Sequence, residues 1–346
     1  MENTYFATFI PGTEDIVVDI LSARLPDFSP SLLASGAVAF TTSVPYSELN
    51  LFCFNNIFRV LYSAPAAPTK AGLEGFLRGL PAAPVDWQAA RARGKARTFR
   101  LVVSCKNQLV SVSRGVREAV EKKLAAESRL RPDRSLPDRE FWALARDDGQ
   151  AWFLMRLTRH KAYDKLLHPG ELHPELAYMM CWLSQPSPLD VFLEPFCGYG
   201  AIPAQRAKRF PFRMLTASDI SPKAVEFTRQ KLGERPGLAI LQADALNMGM
   251  AGGTVNAIVT DPPWGIYEDV GMELAVFYRR ILAEFARLLC DGGRAVILTA
   301  AKRELAGALE ELPQLVLAAR YDILVSGKKC GLFVLKKGGL QNRKQG

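Results

Sequence analysis

Short apolar runs, broken by Gly, Pro and Asp clusters, pattern the first part of the chain. Tyr5 to Ile10 reads as a strand. Thr13 to Leu25 reads as a helix, with Thr13 an N-cap before Glu14 and Asp15. Ala37 to Thr42 follows Gly36 as a second strand. Tyr46 to Phe54 reads as a helix and Ile57 to Ser63 as a third strand. This β-α-β-α-β order predicts a small α+β layer, and Ala64-Pro-Ala-Ala-Pro-Thr marks a linker after it. Lys70 to Arg93 reads as two short helices broken near Pro81 and Pro84, and Thr98 to Ser104 as a strand. Ser113 to Leu130 is helical, apolar at Val116, Val120 and Leu124. Phe141 to Arg146 and Ala151 to Leu157 alternate like a hairpin around Asp147-Asp148-Gly149. Pro169-Gly170 and Pro174 mark a connector, and Glu175 to Leu183 a helix leading onward.

Beyond that helix the pattern changes. Strands are predicted at Val191 to Leu193, Met214 to Ser218, Ala239 to Gln242, Ala257 to Thr260, Arg294 to Thr299, Tyr321 to Val325 and Gly331 to Leu335. Helices lie between them, notably Leu274 to Leu289, ending at Asp291-Gly292-Gly293. Alternation of this kind predicts an α/β, Rossmann-like, doubly wound and mostly parallel sheet. The last two strands suit an antiparallel hairpin through Ser326-Gly327-Lys328-Lys329. The tail from Gly338 to Gly346 is polar and expected to be disordered.

A length of 346 residues allows about two to three domains. With 49% hydrophobic residues, cores are easily filled. No apolar run approaches the ~18 residues of a membrane span, and Met1-Glu-Asn-Thr-Tyr lacks the basic start of a secretory signal. The cysteines (Cys53, Cys105, Cys181, Cys197, Cys290 and Cys330) are not paired at metal-ligand or disulfide spacing, so a reducing cytoplasm is expected. The net charge of +9 is localised: 13 Lys/Arg against 4 Asp/Glu lie between Arg91 and Arg134, which accounts for the whole excess. A stripe of this kind predicts a grip on a nucleic-acid backbone. Its candidates are Arg91, Arg93, Lys95, Arg97, Arg100, Lys106, Arg114 and Arg117. The bland alternative is a solvated helix face, with Arg114, Arg117 and Glu121 at helical spacing.

The strand Val255 to Thr260 runs into Asp261-Pro262-Pro263-Trp264, then Gly265. An exocyclic amine on a flat ring is a poor nucleophile because its lone pair is delocalised. A carboxylate and a fixed carbonyl can accept its two N–H groups, and an aromatic ring can hold the plane. Asp261, the carbonyl of Pro262 and Trp264 suit those roles, and the prolines stiffen the loop. Read alone, the tetrapeptide is equally good turn chemistry. About 70 residues upstream lies Asp190-Val-Phe-Leu-Glu-Pro-Phe-Cys-Gly-Tyr-Gly-Ala-Ile-Pro, a strand, a glycine turn and a helix start. Gly198 and Gly200 allow close approach to the backbone. The third glycine of a dinucleotide fingerprint and a phosphate-binding lysine are both lacking, which argues against NAD and a P-loop. Asp219, 19 residues after Gly200 at a strand end, can take a ribose diol, and Asp244 after the next strand an adenine amine. Singly, each acid is more often a cap or a loop residue. In this order they predict a nucleoside cofactor without phosphates, S-adenosylmethionine. The histidines His160, His168 and His173 share no metal spacing and are assigned, with Arg159 and Lys161, to the connector. Cys197 is read as packing, and Tyr199 as a shield of the turn or a lining of the cofactor.

These motifs, over residues 190 to 337, resemble class I methyltransferases, and Glu-Pro-Phe-Cys-Gly-Tyr-Gly-Ala-Ile-Pro with Asp-Pro-Pro-Trp-Gly resembles the branch acting on exocyclic amines of RNA bases. Leu157-Thr-Arg-His-Lys-Ala-Tyr-Asp-Lys-Leu-Leu-His-Pro-Gly-Glu-Leu-His-Pro-Glu-Leu-Ala-Tyr is similar to the segment joining a THUMP domain to such an enzyme. Phe6-Ala-Thr-Phe-Ile-Pro-Gly-Thr-Glu-Asp resembles the start of a ferredoxin-like domain ahead of THUMP. The resemblance, to tRNA guanine-N2 methyltransferases of the THUMP type, implies four parts: residues 1–69 ferredoxin-like, 70–160 THUMP-like, 161–184 connector and 185–346 methyltransferase. It implies cofactor contacts at Glu194, Pro195, Phe196, Cys197, Gly198, Gly200, Ala201, Asp219, Ile220, Asp244, Ala245 and Asp261, and a tRNA partner. Glu194 stands where relatives often carry aspartate, and Gln205 where they often carry glutamate. The same loop logic serves adenine N6 or a glutamine amide, though the basic stripe disfavours a protein substrate. A non-catalytic RNA-binding protein on this fold is the remaining alternative.

Overall fold

Two sheets organise the chain, and each is built mainly from the apolar runs just described. In this computed structural model, residues 3–91, 94–158, 167–168, 170–266 and 270–338 are described. Arg93, Arg159, His160, Lys161 and the tail from residue 339 lie outside them. The chain divides into two compact units, Met1–Phe9 with Leu21–Lys161, and Ile10–Ile20 with Ala162–Gly346.

The first sheet is formed by β1 (Asn3–Thr8), β2 (Ser29–Ala34), β3 (Ala37–Thr42), β4 (Asn56–Pro65), β5 (Thr98–Cys105), β6 (Gln108–Leu109), β7 (Arg131–Pro132), β8 (Arg139–Ala145) and β9 (Gln150–Arg156). The helices of this half of the chain are α1 (Glu14–Arg24), α2 (Lys70–Gly79), α3 (Trp87–Ala90) and α4 (Arg114–Ser128). Strand order is β2-β3-β1-β4-β9-β8-β5-β6, with β7 beside β5. Strands from both sides of residue 69 therefore share one sheet, because β4 pairs antiparallel with β9 from Phe58↔Arg156 to Pro65↔Gln150. Leu73, Leu77, Val120 and Leu124 of the helices pack with Phe99, Phe141 and Phe153 of the strands in one core. Phe6, Phe58, Trp152 and Leu154 build a second cluster in the same unit. Arg146 reaches across to the carbonyl of Ser35 at 2.5 Å.

Two expectations fail in this unit. Tyr46 to Phe54 is not a helix: a single 3-10 turn covers Tyr46–Glu48. Leu49, Leu51 and Cys53 are buried while Asn50 is exposed with φ 45°. Burial at every second residue suits an irregular extended path, and a helix cannot provide it. The strand β2 was not foreseen, so the β-α-β-α-β plan becomes β-α-β-β-β. Pro30 sits at its register irregularity, on the edge of the sheet where a missing N–H is tolerated.

The second sheet is formed by β10 (Val191–Glu194), β11 (Met214–Asp219), β12 (Leu238–Gln242), β13 (Val255–Thr260), β14 (Leu289–Thr299), β15 (Leu315–Val325) and β16 (Lys328–Lys337). Between and before them run α5 (Pro174–Leu183), α6 (Ala201–Arg209), α7 (Pro222–Leu232), α8 (Leu274–Leu288) and α9 (Lys302–Glu310). The order is β12-β11-β10-β13-β14-β16-β15. The first five strands are parallel, and β16 runs antiparallel between β14 and β15. This is the predicted doubly wound sheet with its terminal hairpin. The hairpin turn is Ser326-Gly327, both at positive φ, with Val325 opposite Lys328. Asp291-Gly292-Gly293 does not end the long helix as a separate turn. It lies within β14, at the point where the register against β13 jumps from Val255↔Leu289 to Ala257↔Arg294. On one face Phe277, Ile281 and Phe285 of α8 meet Val255, Ile258 and Ile297 of the strands. Every residue of β10 is buried, as a central parallel strand requires. The strand order reverses between β10 and β13, and a crevice for ligand opens outside the carboxyl ends of strands at such a point.

Candidate active site

The turn after β10 is shaped by its glycines. Gly198 and Gly200 have φ of 47° and 76°, the left-handed region. A Cβ on Gly200 would come within 3.0 Å of Thr228 Oγ1, whereas on Gly198 the nearest atom is 4.0 Å away. The first glycine therefore faces open space, and the second is packed against α7. Thr228 Oγ1 donates to the Gly198 carbonyl at 3.0 Å, and Gly200 N–H to the Cys197 carbonyl at 2.7 Å. Ala201 opens α6, with Gly200 as its cap.

The acids converge on this turn. Asp219, at the end of β11, accepts from Gly198 N–H at 3.0 Å and Ser221 N–H at 2.9 Å. Its carboxylate is thereby aimed at the turn, with lone pairs left for a diol. Ile220 beside it is 68% exposed, an apolar side chain at the strand end. Asp244 is exposed and accepts from Leu246 N–H at 2.9 Å, while Ala245 is buried.

Glu194 is fully buried. Its Oε1 accepts from Phe196 N–H at 2.9 Å and Thr260 Oγ1 at 2.6 Å, and its Oε2 has no partner among the described residues. Burial pushes its carboxyl well above the ordinary range. The bonds from Thr260 and Phe196 oppose that shift, and the charges of Asp261 and Asp219 reinforce it. An unpaired buried oxygen is costly, and the raised titration makes the neutral acid the form that this place favours. Thr260 carries no motif and was not anticipated.

Asp261 follows β13. Trp264, whose ring was assigned to stacking, donates its indole N–H to Asp261 Oδ1 at 2.8 Å. The carbonyl of Pro263 accepts from the hydroxyl of Tyr278 at 3.1 Å. Pro262 is buried, and its carbonyl accepts no hydrogen bond from the described residues. Pro195 and Cys197 are buried, and Phe196 is half-buried with its ring 6.0 Å from Phe277. Burial pushes the Cys197 thiol up to about 12, so it stays protonated and poorly nucleophilic. Tyr199 stacks on His168 with centroids 4.4 Å apart, and both rings touch Phe227 at 5.2 Å. Among the described residues no cluster of three His, Cys, Asp or Glu is placed to hold a metal, and no helix is long and apolar enough to cross a membrane.

The basic stripe separates into two groups. Arg100 pairs with Glu140, which also binds Arg156 at 2.9 Å and the Trp142 indole at 3.1 Å. Arg117 donates to the Leu101 carbonyl at 3.0 Å and pairs with Glu121. These two are engaged in holding the fold. Arg114 pairs with Glu118 and Lys106 with Asp147 on the surface. Arg91, Lys95 and Arg97 are exposed, Arg97 leaning on the carbonyls of Gly94 and Ala96. Exposure could not be read from the sequence, where all eight look alike.

Residues 161–321 match the UPF0020 family, described as RMKL-like, methyltransferase domain. The bovine (Bos taurus) tRNA (guanine(6)-N(2))-methyltransferase THUMP3 is 34% identical over 162 residues, 42% of this chain and 32% of that protein. The tRNA (guanine(10)-N2)-dimethyltransferase of Methanothermobacter thermautotrophicus is 35% identical over 130 residues, 36% of this chain and 38% of the relative. The chain thus spans about a third of the length of these relatives. The crystal structure of TrmN from Thermus thermophilus superposes with a TM-score of 0.79 at 24% identity, covering 97% of this chain and all of that one. That likeness extends over the folds of both units.

Proposed function

We propose that this protein methylates the exocyclic N2 of a guanine in tRNA, using S-adenosylmethionine, in the cytoplasm. The observation that carries the reading is the acceptor pair of Asp261 and the Pro262 carbonyl, which accepts no hydrogen bond from the described residues. The pair stands at the carboxyl end of β13, next to the end of β10, where the buried Glu194 has an oxygen with no partner among the described residues. The matched methyltransferase family and the named activities of the two curated relatives support it. The residues present fit the cofactor. Gly198 leaves backbone open to close approach, Asp219 and Asp244 supply acceptors for ribose and adenine, and the exposed Ile220 supplies apolar surface. When bound, the cofactor supplies an electrophilic methyl group.

Asp261 and the Pro262 carbonyl accept the two amine N–H groups, so the nitrogen lone pair turns out of conjugation and toward the methyl carbon. As the new N–C bond forms, the methyl–sulfur bond would break and leave its electron pair on sulfur as a neutral thioether; the amine becomes cationic, and Asp261 accepts its surplus proton. A fixed carboxylate stabilises that developing charge without having to reorganise. Residues 1–160, ferredoxin-like and THUMP-like in this proposal, grip the RNA through Arg91, Lys95 and Arg97. The target base leaves its stack to reach the loop, since its amine is otherwise inaccessible.

Transfer of labelled methyl to unmodified bulk tRNA, with nucleoside analysis, tests the reading. The expected product is N2-methylguanosine, lost in Asp261→Ala while tRNA binding persists. Label in N6-methyladenosine would overturn the base and keep the chemistry. No label together with no cofactor binding would leave a non-catalytic RNA-binding protein.

A further inference from the structure

Tyr278 lies in α8, 15 residues from Pro263 in sequence, and belongs to no motif. Its hydroxyl is 3.1 Å from the Pro263 carbonyl and 2.5 Å from Thr299 Oγ1 at the end of β14. Thr299 Oγ1 in turn accepts from Ala301 N–H at 2.9 Å. Tyr278 and Thr299 are both fully buried. A carbonyl can only accept, so the single phenolic proton goes to Pro263, and Thr299 must donate to the phenolic oxygen. The chain Ala301 N–H to Thr299 to Tyr278 to Pro263 therefore has one direction throughout. Buried hydroxyls satisfied in this way are rigid, because loosening one link strands another.

We propose that Tyr278 is a positioning residue for methyl transfer. By holding the Pro263 carbonyl it sets the register of the loop, so that the Pro262 carbonyl and Asp261, and not Pro263, face the crevice. The inference rests on the function proposed above. The neighbouring Phe277 meets Phe196 of the glycine turn edge-on at 6.0 Å. Adjacent residues of one helix therefore touch the loop that presents the amine acceptors and the turn that approaches the cofactor. A helix is a stiff spacer, and the distance between those two loops decides whether nucleophile and methyl align.

Tyr278→Phe keeps the ring and removes the hydroxyl. In the full-length protein its kcat should fall about 10- to 100-fold, the scale of a misplaced reacting group, with dissociation constants for tRNA and S-adenosylmethionine unchanged. Amide hydrogen exchange at Asp261, Trp264 and Gly265 should accelerate. Thr299→Val should do the same, and Thr299→Ser should restore parental exchange and kcat. A Tyr278→Phe variant with parental kcat or parental loop exchange overturns the inference, as does a parallel loss of cofactor affinity, which would mark a merely structural role. If the parent itself methylates nothing, the functional reading fails, and loop exchange alone still decides whether the relay holds this loop.

Discussion

At the scale of single residues, the site depends on groups whose properties are set by burial. Glu194 is the plainest case. Its folded carboxyl titrates well above the ordinary 4.5, because burial disfavours the charge and Asp261 and Asp219 add to the effect. A raised folded value means that the native state holds more protons than the unfolded chain between the two values. This contribution to stability is therefore whole below about 4.5 and is lost as pH rises through the folded value. Glu194→Gln, permanently neutral, should flatten the fall of melting temperature with rising pH in the ligand-free protein. A variant as pH-sensitive as its parent would place the titration elsewhere. Gly198→Ala tests the other side of the cradle. The Cβ would enter open space at φ 47°, so the backbone strain costs about 1 kcal/mol, while cofactor affinity should fall far more. Calorimetric titration beside a melting curve separates the two.

At the scale of elements, the first sheet is held by strand pairs that carry a buried charge cluster between them. Glu140 on β8 receives Arg100 from β5 and Arg156 from β9. Burial pushes its carboxyl up, but the bonds from Arg156, Trp142 and Arg100 outweigh that and hold it below the ordinary range. Glu140→Ala leaves two arginines without their shared partner in a largely buried place, which should cost about 3 kcal/mol in chemical denaturation. A loss below ~0.5 kcal/mol would show that water reaches the cluster, as for exposed pairs. Sequence patterning located these strands well, since β5, β8 and β9 are apolar runs bounded by polar or charged residues. It failed at Tyr46 to Phe54, where buried residues two apart are compatible with extended chain, and at the edge strand β2, which has only one neighbour to require an apolar face.

At the scale of the molecule, the charge excess and the proposed chemistry lie in different units, so affinity for RNA and catalysis should be separable. Arg97→Ala and Lys95→Ala should weaken tRNA binding and lower the slope of log affinity against log salt, by roughly one for each phosphate no longer neutralised. Activity at saturating tRNA should hardly change. Arg100→Ala should instead lower stability with little effect on the salt slope, because its charge is spent on Glu140. Equal salt slopes in all three variants would mean that the stripe does not meet RNA.

The sequence by itself determined everything carried by residues adjacent along the chain. The strand–turn–helix with Gly198 and Gly200, the acids closing successive strands, the Asp-Pro-Pro-Trp loop and the mostly parallel character of the second sheet all follow from local spacing. Only the tertiary structure decided who meets whom across distance. Thr260 reaches Glu194 over 66 positions, Tyr278 reaches Thr299 over 21, and β4 pairs with β9 from the far side of the linker. It also decided which arginines of one basic stripe remain for a ligand. Periodicity says which face of an element is apolar. The partner that covers the face, and the buried polar group that partner must satisfy, are set by strand order and packing, which no single segment encodes.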